Sequence, residues 1–221
     1  MCLLKLFGDY LGDYLQTSDL QFGFKSGIGC SDAVLTARTT LNYLTDRRST
    51  AAMCALDLSK AFDKVDHYGL FLRLMMRTGV PKCLIAVLVC WYAKCTVCVR
   101  WGDWLSKPFT VQAGARQGGV LPPVLFAVYI DVLISKIKAS GCGLHVCGMF
   151  LGCIVYAGDI LLKTNSVCFM QKVLDICTNV AGELDLCFNV NKSVVLRVGC
   201  RYQKVCAPLF YLAVLWIISK A

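Results

Sequence analysis

Residues 154–162 read IVYAGDILL, an apolar run interrupted by one glycine, Gly158, and one acid, Asp159. Its aliphatic and β-branched content predicts a buried strand. A lone carboxylate inside such a strand costs several kcal/mol unless a cation meets it. A second acid of the same kind, Asp57, stands near the end of TAAMCALDL, residues 50–58, on the face opposite Leu56 and Leu58. A sheet that set these two segments side by side would bring the carboxylates together, and two such charges do not both ionise cheaply without a cation between them. Hard oxygen donors favour Mg2+. Taken singly, either acid reads more readily as a capped turn or a surface residue than as a site.

Around these segments the chain alternates helices with strands, without a regular βαβ pattern. QFGFKSGIG, 21–29, is glycine-punctuated loop, and Ser31 with Asp32 is expected to cap a helix whose stripe is Val34, Ala37, Leu41 and Leu44. Arg47 and Arg48 close it, where cations suit the dipole. A helix over about 67–77 carries Leu70, Phe71, Leu74 and Met75, with Gly79 ending it and Pro81 opening the next. CTVCVRW and KPFTVQA read as paired strands around a Gly102–Asp103 turn. After the glycine-rich GARQGG, a helix opens at Pro122 and Pro123 and ends near Gly141. Another helix spans about 166–186, and FNVNKSVVLRV closes the pattern as two short strands about Asn191 and Lys192. Helices packed against an antiparallel sheet, an α+β fold, accommodate this order.

Composition narrows the function classes. The chain has 221 residues, 57% of them hydrophobic, yet Lys, Arg, Asp, Gly or Pro interrupts each apolar run before it reaches spanning length. The N-terminus acquires an acid before any apolar region long enough for a secretory signal, so an intracellular location, cytoplasm or nucleus, is expected. Fifteen cysteines scattered through apolar runs read as reduced thiols. Cys95 and Cys98 form the one CxxC, on a strand whose alternation points them apart, which argues against zinc. A net charge of +9, from 23 Lys and Arg against 14 acids, suits a polyanionic partner.

ALDLSKAFDKVDH, ARQGGVLPPVLF, YAGD and FNVNKS follow one another in that order. As an ordered set they closely resemble successive motifs of the reverse transcriptase domain of non-LTR (LINE-type) retrotransposons. The likeness runs from about residue 19 to 199, which sets expected bounds: a divergent N-terminal segment 1–18, a reverse transcriptase-like domain 19–199, and an apolar C-terminal segment 200–221. The resemblance implies a right-hand polymerase palm, an antiparallel sheet backed by helices, with partial fingers and without a thumb. It also implies RNA-directed DNA synthesis by two-metal nucleotidyl transfer, with two Mg2+ ions, an RNA template, a DNA primer and deoxynucleoside triphosphates as partners. Asp57 matches the metal-binding aspartate of the first catalytic motif, assisted by the Leu58 carbonyl. Phe62 matches the bulky side chain that rejects a ribose 2′-hydroxyl, or is plain core. Arg116, Gln117 and Gly118 match the loop touching incoming nucleotide and template. Lys192 matches the lysine that protonates pyrophosphate, or is an exposed hairpin lysine.

One departure is decisive. The family tetrad is Tyr, Ala, Asp, Asp, whereas this chain reads Tyr156, Ala157, Gly158, Asp159. The acid that bridges the metals with Asp57 is replaced by Gly158, and Asp159 remains as the lesser partner. Pro122 also stands where the family commonly has serine. The expectation is a polymerase domain with activity absent or strongly impaired. Two alternatives stand beside it: a noncatalytic RNA- or DNA-binding remnant, and a membrane protein.

Overall fold

A computed structural model of the chain describes residues 14–77, 79–115, 119, 121–201, 203–204, 206–211, 214–216 and 219–220. The chain forms two compact units. The larger, Thr17–Ala61 with Ile130–Ala221, is built on a five-stranded sheet in the order β13-β10-β1-β9-β8. These strands are β1 (Thr50–Asp57), β8 (Cys153–Tyr156), β9 (Asp159–Thr164), β10 (Val194–Gly199) and β13 (Ser219–Lys220). β1 lies between β9 and β10, antiparallel to both, and β13 adds in parallel to the outer side of β10. On the other side, Leu20 and Phe22 exchange backbone hydrogen bonds with Val155 and so cover the edge of β8.

β1 is buried along nearly its whole length, which explains why TAAMCAL reads as a continuous apolar run instead of an alternating one. Helix α5 (Val167–Glu183) covers one sheet face. Ser166 caps it by accepting from the Cys168 N–H, and Met170, Val173, Leu174, Cys177 and Val180 form its buried stripe. Cys177 meets Cys54 of β1 and Cys153 of β8, and burial pushes all three thiols above the usual cysteine range, Cys153 to about 12. Thiols held neutral in this way are inert packing groups.

Helix α1 (Cys30–Asp46) contacts β1, β8 and β10 and departs from expectation in two respects. Its cap is Gly29, whose N–H donates to the Asp32 carboxylate one turn inside, so Asp32 acts from the third helical position. Its buried residues are Ala33, Thr40 and Leu44, while Val34 is exposed. The reason lies across from it: Lys163 of β9 is wholly buried and donates to Thr40 Oγ1 at 3.4 Å, which draws a polar position inward. Arg47 and Arg48 follow the helix as its C-cap and the residue beyond.

The second unit comprises Met1–Gln16 and Phe62–Tyr129. Its helices α2 (His67–Met76) and α3 (Lys82–Ala93) pack together through Leu70, Leu74, Leu84, Ile85 and Leu88, all buried. Met75, expected on the apolar stripe, is exposed. Asp66 caps α2 by accepting from the Tyr68 and Gly69 N–H groups. The expected strand pair is present as four two-residue strands, β2 (Thr96–Val97) with β5 (Phe109–Thr110) and β3 (Arg100–Trp101) with β4 (Trp104–Leu105), the latter turning at Gly102 and Asp103. Helix α4 runs over Leu121–Ala139, with Pro122 and Pro123 in its first turn, where a missing N–H costs nothing. Among the described residues no helix is long and apolar enough to cross a membrane.

Candidate active site

The segment 154–162 is a hairpin, not one strand. β8 ends at Tyr156, β9 begins at Asp159, and these two residues pair across a two-residue turn. Asp159 is consequently exposed at a strand start, so the buried carboxylate expected from the sequence does not exist. The turn chemistry hid the hairpin. The residue with positive φ is Ala157, at 55°, whereas Gly158 lies outside the left-handed region. A glycine at the first central position would have signalled such a turn. Exchanging Ala157 for glycine removes roughly 1–2 kcal/mol of left-handed strain and adds about 0.4–1 kcal/mol of unfolded-chain entropy. The A157G variant is therefore expected to gain up to about 1.6 kcal/mol, read as a higher urea midpoint at unchanged slope.

The register of the sheet then sets the acids. Asp57, the last residue of β1, is the direct antiparallel partner of Asp159, the first of β9. Partners in such a ladder lie about 4.5–5.5 Å apart at Cα and point to the same face. Two residues roughly a hundred positions apart in sequence are thus neighbours through backbone pairing alone. The backbone around Asp57 is tied on its other side by the 188–193 turn. Phe188 bridges to Leu58, the Asn189 N–H donates to the Asp57 carbonyl at 2.7 Å, and the Asp57 N–H donates to Ser193 Oγ at 3.3 Å. Ser193 Oγ donates onward to the Asn189 carbonyl at 2.7 Å. Of the two strands expected about Asn191 and Lys192, the second is β10 and the first is reduced to the single Phe188 bridge ahead of the turn.

Lys192, at the crest of that turn, places Nζ 3.9 Å from Asp57 Oδ2. The ammonium is 69% exposed and the carboxylate 29%, so the pair contributes under about 1 kcal/mol to stability. Its importance is positional, because it is a cation standing beside the acid. Asp57, Asp159, Tyr156 and Lys192 border an open pocket of about 290 Å³ whose remaining wall includes Ala33, Val34 and Ala37 of α1.

Gly158 has no conformational reason to be glycine. A Cβ there would meet Ala61 Cβ at 3.5 Å and Leu58 Cβ at 3.8 Å, ordinary contact distances. Its carbonyl accepts from the Leu58 N–H, an interaction any residue would keep. Gly23, by contrast, is required. A Cβ at that position would come 2.6 Å from the Ala157 nitrogen, so the loop QFGF can back the 157–158 turn only with glycine. Gln21, wholly buried beside it, accepts from the Gly23 N–H and leaves Nε2 without a partner among the described residues. These two residues carry the turn from behind. Their signal in the sequence was the glycine punctuation of 21–29.

In the second unit, Phe62 stacks on Phe126 with ring centroids 4.5 Å apart. Arg116, Gln117 and Gly118 lie outside the described residues, but the stem entering that loop is well tied. The Ala115 N–H donates to the Phe62 carbonyl, the Gly114 N–H to the Val65 carbonyl, and His67 Nε2 to the Gly114 carbonyl at 2.9 Å. Gly114 has φ 97°, and a Cβ there would press on the Asp63 backbone. His67, missed in the sequence, thus fixes the stem of the glycine-rich loop. Its ring packs edge-on against Tyr92, whose hydroxyl burial pushes up to about 12.

The family model for reverse transcriptase (RNA-dependent DNA polymerase) matches residues 3–208. The chain is 24% identical over 189 residues to the Pol polyprotein of the type-2 retrotransposable element R2DM of Drosophila melanogaster, covering 86% of the chain and 18% of that relative. It is 25% identical to the RNA-directed DNA polymerase from the mobile element jockey of Drosophila funebris, over 78% of the chain and 19% of the relative. The chain thus spans about a fifth of the length of these relatives. Among solved structures it is similar to telomerase from Candida tropicalis, with a TM-score of 0.65 at 13% identity over 87% of the chain and 33% of the telomerase. Telomerase from Candida albicans gives a TM-score of 0.63 at 12% identity over 96% of the chain and 35% of that protein. These likenesses identify the fold, a partial polymerase palm in an α+β frame. With retrotransposon polymerases among its relatives and the family model matched across most of its length, the chain belongs to the reverse transcriptase (RNA-dependent DNA polymerase) family.

Proposed function

We propose that this chain is a reverse transcriptase palm that binds nucleic acid and has lost the metal arrangement needed for DNA synthesis. The single observation carrying the reading is the direct pairing of Asp57 with Asp159 next to a glycine that nothing in the backbone demands. Asp57, the Leu58 carbonyl and Asp159 occupy the positions that would hold metal in an intact site, and Lys192 the position that would give a proton to pyrophosphate. Phe62 guards against the ribose 2′-hydroxyl, while Arg116, Gln117 and Gly118 meet nucleotide and template. RNA template, DNA primer and deoxynucleoside triphosphates are the partners that the family reading implies, and cytoplasm or nucleus the place of action. Residues 19–199 carry the polymerase motifs, with 1–18 and 200–221 outside that span.

The donors present do not fit a two-ion centre. Two carboxylates face each other, the third position is glycine, and an ammonium group stands beside Asp57. No three metal-ligating side chains converge among the described residues. Mg2+ characteristically uses one or two carboxylates plus substrate phosphates, and two ions need a bridging acid that this chain lacks.

The test is a pair of measurements on the same preparation. Single-stranded RNA is expected to bind with strong salt dependence in EDTA, and an annealed DNA primer on an RNA template is expected to stay unextended in Mg2+. Robust Mg2+-dependent extension would refute the loss of chemistry, and absence of RNA binding at low salt would refute the retained binding.

A further inference from the structure

We propose a second phosphate-binding pocket in the larger unit, for the phosphodiester backbone of single-stranded RNA, formed by Arg47, Arg48, Arg197 and Arg201. These four arginines line one polar concavity of about 530 Å³ at the start of β1 and the end of β10, and no acid is among the described residues lining it. It is separate from the carboxylate pair. Thr50 and Asp57 are the two ends of β1, seven steps of about 3.3 Å and so about 23 Å apart. Arg197 pairs with Ala52, which alternation places on the face opposite Asp57.

Helix-dipole compensation accounts for Arg47 and Arg48 alone, but not for this convergence. Arg197 and Arg201 arrive from a distant strand because Thr50 pairs with Gly199, a glycine whose Cβ would run into the Ser49 carbonyl. Arg197 is held in place by donating to the Lys204 carbonyl at 2.6 Å and the Arg201 carbonyl at 2.9 Å. Arg47 lies 3.6 Å above the Tyr43 ring. The Arg201 N–H donates to Thr50 Oγ1.

Arg48 is the most telling member. α1 ends in a Schellman turn, with the Ser49 N–H donating to the Leu44 carbonyl and the Arg48 N–H to the Thr45 carbonyl, both at 2.9 Å. Such a turn puts its closing residue in the left-handed region, where glycine is usual. Arg48 occupies it at φ 52°. The helix thus ends with a guanidinium at this rim on a residue type that has no preference for the left-handed region. Four like charges without a lining acid repel one another, and planar guanidinium forks match phosphate oxygens two at a time. A strand neutralises this cluster without being read by sequence.

Fluorescence anisotropy of labelled oligouridylate, between about 50 and 200 mM salt, tests the pocket in the whole chain. R48G removes the charge and the backbone strain together, so the protein is expected to be at least as stable to urea yet to bind the strand more weakly. R201A is expected to weaken binding likewise. Each variant should lower the steepness of log K against log salt by about 0.7, and the double variant by about 1.4. R201K, which keeps the charge, should retain the parental slope. K136A, which removes one charge at the exposed Lys136–Glu183 ion pair outside the pocket, should leave slope and affinity as they were, which distinguishes this pocket from a general loss of positive charge, while primer extension tests the palm reading separately. Parental slope and affinity in the R48G/R201A double variant would overturn the proposal. Loss of dTTP binding in R48G with strand binding intact would overturn it equally, by assigning the pocket to a free nucleotide.

Discussion

Replacing Gly158 by aspartate is expected to tighten Mg2+ binding at the Asp57–Asp159 pair by at least about 10-fold, since even supporting residues behind metal ligands typically change affinity or activity by about 10- to 100-fold. The fold can accept the change. The Cβ position is in ordinary contact with Ala61 and Leu58, and the backbone there is not left-handed, so an L-residue enters without strain. Electrostatics favour it only with a cation present. A third carboxylate beside two others raises mutual repulsion, which a divalent ion relieves and the single exposed ammonium of Lys192, 3.9 Å from Asp57, relieves only partly. The G158D protein should accordingly be less stable than its parent in EDTA and regain stability as Mg2+ is added, by mass action. Titration with Mn2+ followed by electron paramagnetic resonance reads the affinity directly, and primer extension in Mg2+ reads the chemistry. Equal metal affinity in parent and variant would show that position 158 does not face the ion. D57N introduced into G158D should abolish the gain, because the bridging requires both acids.

The sequence made the pairing of these acids legible and concealed its surroundings, for physical reasons that differ by element. Asp57 and Asp159 were found because their motifs occur in order, and β1–β9 register converts that order into contact. The hairpin within 154–162 escaped because its left-handed residue is alanine, so the turn lacks its usual signal, and the resulting exposure of Asp159 escaped with it. The expected face of α1 held at Leu44, with Leu41 packed beside it, but Ala33 is buried in place of Val34 and Thr40 is drawn inward by Lys163, which periodicity cannot know. The arginine pocket was invisible because it depends on Thr50 meeting Gly199 across the sheet. Local pattern reports element type; side-chain communities that cross a sheet depend on register, which here is fixed by residues far apart in sequence.

Lys163 provides the second large effect. Changing it to methionine is expected to stabilise the protein by about 2–3 kcal/mol near neutral pH, an apparent Tm rise of roughly 4–12 °C for a chain of this size. The side chain has no exposed surface, and its ammonium, with three donors to place, finds Thr40 Oγ1 at 3.4 Å. That hydroxyl already donates to the Thr36 carbonyl. Burial therefore holds the amine at about 8 instead of the ordinary 10.5, with nearby Cys153 acting weakly in the opposite sense. At about 1.4 kcal/mol per pH decade, this depression corresponds to about 3 kcal/mol. The sign follows from the direction. The folded state disfavours the charged amine, so the cost is fully present below about pH 8, shrinks as pH climbs, and is gone above about pH 10.5, where the unfolded chain also loses its proton. Methionine keeps the length and apolar volume without the charge. Urea unfolding of parent and K163M from about pH 7 to 10.5 should thus show a gap that is widest at neutral pH and narrows through that window. The raised thiols of Cys54 and Cys177 pull stability down at alkaline pH in both proteins and largely cancel in the difference. A gap that stays constant across the range would mean that the amine is charged and solvated in the folded protein, and that Lys163 does not sit beneath α1 as described.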